Sequence, residues 1–368
     1  MRTSIARRLA VAATTLALGL AAVPAGAQAA PAESSFAGIP ASVVAQADEL
    51  VQRLGAEAID PADYVCSTST PLRDWLAAQK SDWAPTDQGL VDFVSQLPLL
   101  DTVLFPDEAS STFGPFTHQI TKTFRDLGKF WDVDPRQIRL RALRSTMLLD
   151  TARLTRVFTV GFGFDAATSA GLAANVVQLV DVDRFDHGRH PAFTFNAFAL
   201  DTAEIPGVGK LPPQIVLGDG VLAGFQAVGL SDVAPQAILA HEYAHHVQYQ
   251  RNLFTTDLTG PEASRRTELM ADGFAAYYLT HARGANMQWK RVQRFVQVFS
   301  QLGDCKFDAP AHHGTPNQRV RAAEWGYGVA DGARKQGHVM PTLFLARLFE
   351  KQLPLLVAPD APGTTEGL

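Results

Sequence analysis

The sequence predicts an α+β fold that is predominantly helical and contains one small sheet. Residues 237–249 and 264–278 carry apolar side chains with few charges at helical spacing, as in helices that cross a protein core. Residues 193–198 instead alternate with a period of two, which indicates a strand. A hydrophobic content of 46% with 19% charged residues permits a large core and argues against disorder.

The first 29 residues are predicted to be a signal peptide. Three arginines precede an apolar run over residues 9–22, and residues 27–29 form the A-x-A pattern of a cleavage site. The run is too short for a stable membrane span, although an uncleaved anchor is the alternative. No later apolar stretch reaches about twenty residues, so we expect a secreted, extracellular protein with no integral membrane segment after signal removal.

The net charge limits the kinds of partner that we expect, and the two cysteines bear on the disulfide. Removing the signal peptide removes three arginines and no acidic residue, which takes the net charge from −5 to −8. This mildly acidic, unclustered balance argues against nucleic-acid binding. Cys66 and Cys305 are the two cysteines, and in an exported protein we expect them to form one disulfide. Two separate buried thiols are the alternative, and the spacing fits no zinc pair.

Residues 30–160 are predicted to be mainly helical. Apolar residues recur there at helical spacing, and prolines and glycines separate the segments. The helices predicted in this region cover residues 43–54, 72–79, 89–97, 117–131 and 137–158.

Helices also dominate from residue 161 onward. Ser231 and Asp232 are placed to cap a helix that runs to about Arg251. The tail from Ala358 contains Pro and Gly and is expected to be loose. The other helices predicted here cover residues 166–182, 287–302, 315–324 and 341–355.

The predicted helix over residues 237–249 contains the pattern HExxH. His241 and His245 stand at i and i+4, so both imidazoles project from one face, one turn apart. Two neutral imidazoles suit a tetrahedral Zn²⁺, and Glu242 beside them can act on a metal-bound water. An amphipathic helix with coincidental histidines is the alternative. The apolar character of the segment favours the metal.

The next predicted helix places two carboxylates on one face, Glu268 and Asp272. Buried carboxylates are costly unless they meet a cation or hydrogen-bond donors. A zinc ion held by two histidines would supply that cation to Glu268, and Asp272 is placed to accept a ring N–H from His241. Salt bridges to Arg265 and Arg266 are the alternative.

These motifs resemble those of gluzincin metallopeptidases, in which HExxH is followed by ExxxD on a second helix. Residues 195–199 (FNAFA) and 213–218 are similar to two strands of prenyl-protease-like gluzincins. Residues 313–319 (HGTPNQR) resemble the HGS-x-x-QR segment of the bacterial neutral zinc metallopeptidases. Ala244 stands where these families usually have Gly, and Gly273 where the second often has Cys. Both residues are small, so the ligands are not in question.

The resemblance implies a gluzincin-like core in which a small sheet supports the HExxH and ExxxD helices. Residues 161–340 would form a zinc metallopeptidase domain, and residues 341–368 a C-terminal helix and loose tail. Residues 30–160 would be a cap, a substrate-selecting module or an inhibitory pro-segment. Asn196 and Ala197 would lie on a strand that borders an open groove and pairs with an extended substrate.

The implied activity is that of a zinc metalloendopeptidase with one Zn²⁺ per chain and a peptide or protein substrate. His241, His245 and Glu268 would bind the zinc and leave its fourth position to water. Glu242 would act as the general base for the zinc-activated water and return the proton to the departing amine.

A further hydrogen-bond donor is expected for the developing oxyanion, and gluzincins generally use a Tyr, His or Arg. The candidates are His313, Tyr277 and Arg319. His313 is also consistent with a solvated loop, and Arg319 with a structural ion pair. His246 points about 100° away from His245 on the helix, so we expect it to pack rather than bind metal.

Two other classes of function are compatible with the same residues. One is a catalytically silent zinc scaffold that binds other proteins, against which the presence of Glu242 argues. The other is a cell-wall amidase, which would use the same zinc chemistry on a non-peptide amide.

Overall fold

A computed structural model describes residues 14–15, 64–67, 69–205, 208–307, 309, 311–333 and 337–361. The fold is α+β and predominantly helical, as predicted. Its α-helices are Pro71–Ala78 (α1), Asp87–Val94 (α2), Gln96–Leu104 (α3), Thr117–Phe130 (α4), Thr151–Phe162 (α5), Ala166–Val180 (α6), Asp219–Ala227 (α7), Ala234–Gln250 (α8), Gly260–Thr280 (α9), Trp289–Leu302 (α10), Pro316–Ala333 (α11) and Thr342–Leu356 (α12). Its strands are Thr14–Thr15 (β1), Arg139–Leu143 (β2), Ala197–Leu200 (β3), Ala203–Ile205 (β4), Gly209–Leu211 (β5) and Gln214–Gly218 (β6).

Strand β6 lies inside the larger sheet, whose strand order is β1-β3-β6-β2. It pairs in parallel with β2, where Leu140 faces Ile215, and antiparallel with β3, where Ala197 faces Leu217. All five of its residues are buried, which explains why it reads as a continuous apolar run. Because β2 comes from the N-terminal region and β3 and β6 from the region after residue 161, one sheet joins the two regions. Strands β4 and β5 form a separate hairpin.

The helix predicted over residues 137–158 is wrong. The chain there forms β2, then a 3₁₀ turn over Ser145–Leu149, and only then α5. Pairing with the buried strand β6 overrides the helical spacing of the leucines, a tertiary effect that local propensity does not contain. Helix α5 begins after Asp150, whose carboxylate accepts the backbone N–H groups of Ala152 and Arg153.

The strand expected over residues 193–198 begins later, at Ala197. Pro191 opens a 3₁₀ turn that runs to Thr194, and the chain then passes directly over Gly218. A Cβ on Gly218 would lie 1.9 Å from the carbonyl oxygen of Thr194, so glycine is required at this crossing.

The remaining helix predictions that fall on described residues are confirmed in position, with some changes at the ends. The segment predicted over residues 89–97 is split into α2 and α3 at Ser95, and α3 carries Pro98 in its first turn, where proline is tolerated. Helix α8 has Val233 at its N-cap without a side-chain bond, so the expected cap by Ser231 or Asp232 is wrong. The segment predicted over residues 315–324 extends further, as α11.

Both ends of the chain include predictions that fall outside the described residues. These are the signal peptide, apart from β1, the helix over residues 43–54 and the tail after residue 361. Within the described part, the tail is not loose at Asp360, because its carboxylate accepts hydrogen bonds from Val65 N and Arg321. Among the helices that the structure describes, none has the length and apolar character needed to cross a membrane.

Cys66 and Cys305 form a disulfide, which confirms the first of the two alternatives. The bond ties the segment before α1 to the loop between α10 and α11. Beside it, the Tyr64 ring stacks on Phe307 with centroids 5.7 Å apart, and the Arg265 guanidinium lies 5.5 Å from the Tyr64 centroid. Residues 64–66 are therefore packed onto the loop that follows α10.

Helices α9 and α11 approach each other at two glycines. A Cβ on Gly326 would lie 2.1 Å from the carbonyl oxygen of Gly273, and a Cβ on Gly273 would clash with the Trp325 ring. The two backbones are therefore in contact, which brings the buried face of α11 against α9. Helix packing therefore explains the glycine at position 273.

His246 attaches α8 to the sheet. Its Nε2 donates a hydrogen bond to the Gln214 carbonyl oxygen of β6 over 2.9 Å. Burial lowers the pKa of His246 to about 4, because the charged imidazole would lose its hydration. The expectation that this histidine packs rather than binds metal is consistent with this bond.

We predict that replacing His246 with Gln will reduce the loss of unfolding free energy that occurs as the pH falls. The unfolded chain takes up a proton on this residue near pH 6.5, whereas the folded protein resists until about pH 4. The wild-type protein should thus lose about 3 kcal/mol through this group as the pH falls from 6.5 to 4. Denaturant unfolding in the presence of a chelator, repeated across that range, measures the slope. Parallel curves for the two proteins would contradict the prediction.

Candidate metal centre

Helix α8 places three polar side chains inside the protein. His241, Glu242 and His245 lie within a helix of which 14 residues are buried, from Ala234 to Gln248. The alanines of this segment let neighbouring helices approach closely, which is why the polar side chains are enclosed rather than exposed. The i and i+4 spacing brings the two imidazoles together, with ring centroids 4.8 Å apart.

Helix α9 brings Glu268 to the two histidines. His241 Nε2 lies 3.2 Å from Glu268 Oε2 and 3.2 Å from His245 Nε2. His245 Nε2 lies 3.4 Å from Glu268 Oε1. One potential ligand atom from each of the three side chains lies within 4.8 Å of the others, so this group could bind a metal ion. Within the part of the chain that the structure describes, no other such group of three is found.

The outer nitrogens of both histidines are engaged. His241 Nδ1 donates to Asp272 Oδ1 over 2.8 Å, the hydrogen bond that the sequence predicts. His245 Nδ1 bonds to the side-chain oxygen of Gln248, also over 2.8 Å. A neutral imidazole carries one proton, so with Nδ1 protonated each Nε2 presents a lone pair. Two such lone pairs and the Glu268 oxygens then face one another, an arrangement that a cation stabilises.

Asp272 is held in turn by Arg319. The guanidinium Nε and Nη2 donate to the two carboxylate oxygens over 2.7 and 2.6 Å, and both side chains are fully buried. This bidentate ion pair matches the alternative considered for Arg319, a structural role. The close contact of α9 and α11 makes it possible. Arg319 therefore orients Asp272, and Asp272 in turn orients His241.

Burial and charge set the protonation of the group. Burial lowers the pKa of His241, but the hydrogen bonds and charges of Asp272 and Glu268 outweigh it and raise the pKa to about 9. Burial acts to raise the pKa of Glu268, whereas the nearby His313 and His245 bring it well below its ordinary value. The Glu268 carboxylate is therefore negative, as a metal ligand must be.

Glu242 differs from the other acids of the site. Neither of its carboxyl oxygens has a hydrogen-bond partner among the described residues, although the side chain is fully buried. Burial raises the pKa of Glu242 to about 7. The group can therefore accept and release a proton near neutral pH.

A second polar cluster lies in the loop between α10 and α11 and is formed by Asp304, His312 and His313. The two oxygens of Asp304 bond to His312 Nδ1 over 2.6 Å and to His313 Nδ1 over 2.8 Å. Burial opposes ionisation of Asp304, but these hydrogen bonds lower its pKa far below the ordinary value. Burial lowers the pKa of His313, and the charges of Glu268 and Asp304 raise it overall. All three residues are buried, so the solvated loop considered for His313 is wrong.

Tyr277, one of the predicted site residues, is not part of the group. Tyr277 lies nine residues beyond Glu268 on α9, roughly 13 Å along the axis, and its hydroxyl accepts the backbone N–H of Met340. Its ring packs against Phe130 at 5.8 Å between centroids. Tyr277 is therefore a core residue and not a candidate donor for the oxyanion.

In the described structure, the expected substrate strand pairs with β6 on one side and, at Phe198 and Ala199, with β1 on the other. Ala197 is paired with Leu217 of β6, and the carbonyl of Asn196 accepts the N–H of Gly218. The other edge of β3 is paired with β1. The histidines and acids of the group are also closed off, because His241, Glu242, His245 and Glu268 are at most 1% exposed. Among the described residues, the burial of these four side chains therefore gives no sign of the open groove next to the group that the resemblance implies.

Sequence reasoning missed two residues that support the site, Gln248 and Asp304. Gln248 follows His245 by three positions, so its helical spacing contains a signal that it shares a face with that histidine. Asp304 lies in a loop, where no periodicity predicts which side chain it meets.

We predict that Arg319→Met will destabilise the protein by about 3–5 kcal/mol, since the change leaves the Asp272 carboxylate buried without its ion pair. The double variant Asp272→Asn/Arg319→Met should recover part of the loss, because it removes the unpaired charge. Denaturant unfolding measures the free-energy loss of both variants. A chelator in the buffer separates this effect from metal binding. Equal losses in the single and double variants would show that the ion pair is not the cause.

Comparisons with known proteins identify no relative of this chain. No family model matches the chain, and no match was found among curated proteins or among solved structures. The interpretation of the centre therefore depends on its own side chains.

Proposed function

We propose that the protein is a secreted zinc metallopeptidase of the gluzincin type, with His241, His245 and Glu268 as the zinc ligands. One observation carries the proposal. The metal-binding atoms of these residues converge within 4.8 Å beside a buried Glu242 that has no hydrogen-bond partner among the described residues. A metal site explains the first feature, and a general base explains the second.

The donor set fits zinc. Two imidazoles and one carboxylate are a common ligand set of catalytic zinc sites, in which the fourth position of the tetrahedron stays open. The hydrogen bonds from Nδ1 of both histidines direct each Nε2 inward. A hard cation such as Mg²⁺ or Ca²⁺ would favour oxygen ligands over the two imidazoles.

Glu242 is the proton carrier in this proposal. When bound, zinc supplies Lewis-acid polarisation of a carbonyl and makes a water acidic enough to ionise near neutral pH. Glu242 lies next to His241 in the chain, and its two carboxylate oxygens have no partner among the residues that the structure describes, so it can take the proton from the attacking water. With a pKa near neutrality it can then release that proton to the departing amine.

His313 is the candidate donor to the developing oxyanion. Asp304 accepts a hydrogen bond from its Nδ1 and a second one from its backbone N–H, which fixes both the ring and the loop. With Nδ1 in a hydrogen bond and the pKa raised, Nε2 of His313 can carry a proton. The charge of His313 also lowers the pKa of the Glu268 carboxyl, so the two side chains interact electrostatically.

Substrate entry requires movement in this proposal, because the group is buried. Strand β1 belongs to the predicted signal peptide, so its removal would free the edge of β3 for a substrate strand.

Burial of the whole group supports one alternative, a zinc scaffold that binds other proteins. A structural zinc site is closed to solvent and has no open position. Such a site has no use for Glu242, whose buried oxygens have no hydrogen-bond partner in the part of the chain that is described and therefore destabilise the fold.

We predict that the purified wild-type protein carries close to one zinc per chain and that Glu268→Ala loses most of it. Glu242→Gln should keep the zinc, because this residue is not a ligand, and should abolish cleavage in a fluorogenic peptide library. Metal analysis after dialysis and the peptide assay, with and without chelator, give both results. Zinc without cleavage of any peptide by the wild type would favour the scaffold, and equal zinc in Glu268→Ala would exclude Glu268 as the ligand.

We predict that His313→Ala lowers kcat by about 10²–10³ while zinc content stays unchanged, the loss typical of removing one oxyanion donor. The matched control is His312→Asn, which changes the neighbouring histidine on the same Asp304 carboxylate. Its amide can still donate to Asp304, so kcat should change little. A similar loss of kcat in both variants would assign the effect to the loop rather than to His313.

A further inference from the structure

We propose that Gln248 is the positioning residue for the metal ligands, and that it fixes the His245 ring and couples it to the backbone next to Glu268. The proposal rests on the metal-binding function proposed above. It adds a residue that belongs to neither the HExxH nor the ExxxD pattern.

The orientation of the Gln248 amide follows from its two partners. The side chain is fully buried and lies 2.8 Å from the Thr267 carbonyl oxygen and 2.8 Å from His245 Nδ1. A carbonyl oxygen only accepts, so the NH₂ group of Gln248 must face Thr267. The amide oxygen must then face His245.

The tautomer of His245 follows from this orientation. An amide oxygen only accepts hydrogen bonds, so His245 Nδ1 must be the donor. The Nε2 lone pair is then free and points to Glu268 Oε1 at 3.4 Å and to His241 Nε2 at 3.2 Å. Gln248 thereby keeps His245 in the form that can bind a metal, as Asp272 does for His241.

The second hydrogen bond links the two ligand helices. Thr267 immediately precedes Glu268 on α9, whereas Gln248 and His245 lie on α8. One side chain therefore determines both the ring of one ligand and the backbone position beside another. If α8 and α9 shift relative to each other, this contact must break.

The choice of an amide has a physical reason. A carboxylate at position 248 would still accept the His245 N–H but could not donate to the Thr267 carbonyl. An apolar residue would lose both bonds. Only Asn and Gln combine an acceptor and a donor in this planar form, and Gln has the length present here.

The test is the affinity for Zn²⁺ of the full-length protein, measured by chelator competition. Gln248→Leu should bind Zn²⁺ about 10–100-fold more weakly, the usual effect of losing a partner of a ligating histidine. Gln248→Glu retains the acceptor for His245 and should recover most of that loss. The absorption bands of the Co²⁺-substituted protein should shift in Gln248→Leu, because the geometry of the ligands changes.

The matched control is Gln214→Leu. Gln214 is also fully buried, and its amide donates to the Val103 carbonyl oxygen over 3.1 Å rather than to a residue beside a metal ligand. This variant should show a comparable loss of stability in chelator and an unchanged affinity for Zn²⁺.

The outcomes separate the two proposals. If the wild type binds Zn²⁺ and cleaves peptides while Gln248→Leu binds equally well, the positioning role alone is overturned. Equal losses in Gln248→Leu and Gln248→Glu, or a similar loss in Gln214→Leu, overturn it as well. A wild type that binds no Zn²⁺ overturns both proposals. If Gln248→Leu does not fold, the affinity and Co²⁺ spectrum of Gln248→Glu decide, and near wild-type values support the role of the acceptor.

Discussion

The structure depends on a buried set of lone pairs and negative charges that face one another. His241, His245 and Glu268 are almost fully buried, and their inward atoms are all acceptors once the outer nitrogens donate to Asp272 and Gln248. Such a set is unfavourable without a cation or a bound proton, since buried charge loses its hydration. In the absence of metal a proton on His241 can supply the positive charge, as its raised pKa indicates. Metal binding replaces that proton, so folding and metal affinity are linked.

The packing of the helices serves this arrangement. Gly273 and Gly326 let α9 and α11 touch, so that Arg319 reaches Asp272 with both donors of its fork. The ion pair neutralises the carboxylate that orients His241, and no net charge is added next to the ligands. On the other histidine a neutral amide has the same function, so neither residue that orients a histidine adds an unpaired charge beside Glu268.

The part of the site that the sequence predicts is the part defined by helical spacing. His241 with His245, and Glu268 with Asp272, are one turn apart, so their faces follow from the periodicity of α8 and α9 alone. Asp304 could not be found in this way, because its position comes from a loop fixed by the disulfide at Cys305. The same limit explains β2, where leucines at helical spacing become a strand because β6 offers a buried edge. The closed state of the site also depends on tertiary packing, which spacing does not contain.

Enclosure and hydrolysis place opposite demands on the same residues. A closed environment strengthens the electrostatics of the group, but a peptide and a water must enter for catalysis. A site selected only to hold zinc would satisfy its buried acids, as it does for Asp272 with Arg319 and for Asp304 with two histidines. Glu242 differs from these two acids, because neither of its oxygens has a hydrogen-bond partner in the described part of the chain. Leaving a buried polar group unsatisfied costs about 1–3 kcal/mol. A hydrolytic site explains this cost, because a water would occupy the space next to Glu242 during the reaction. A zinc scaffold does not explain it.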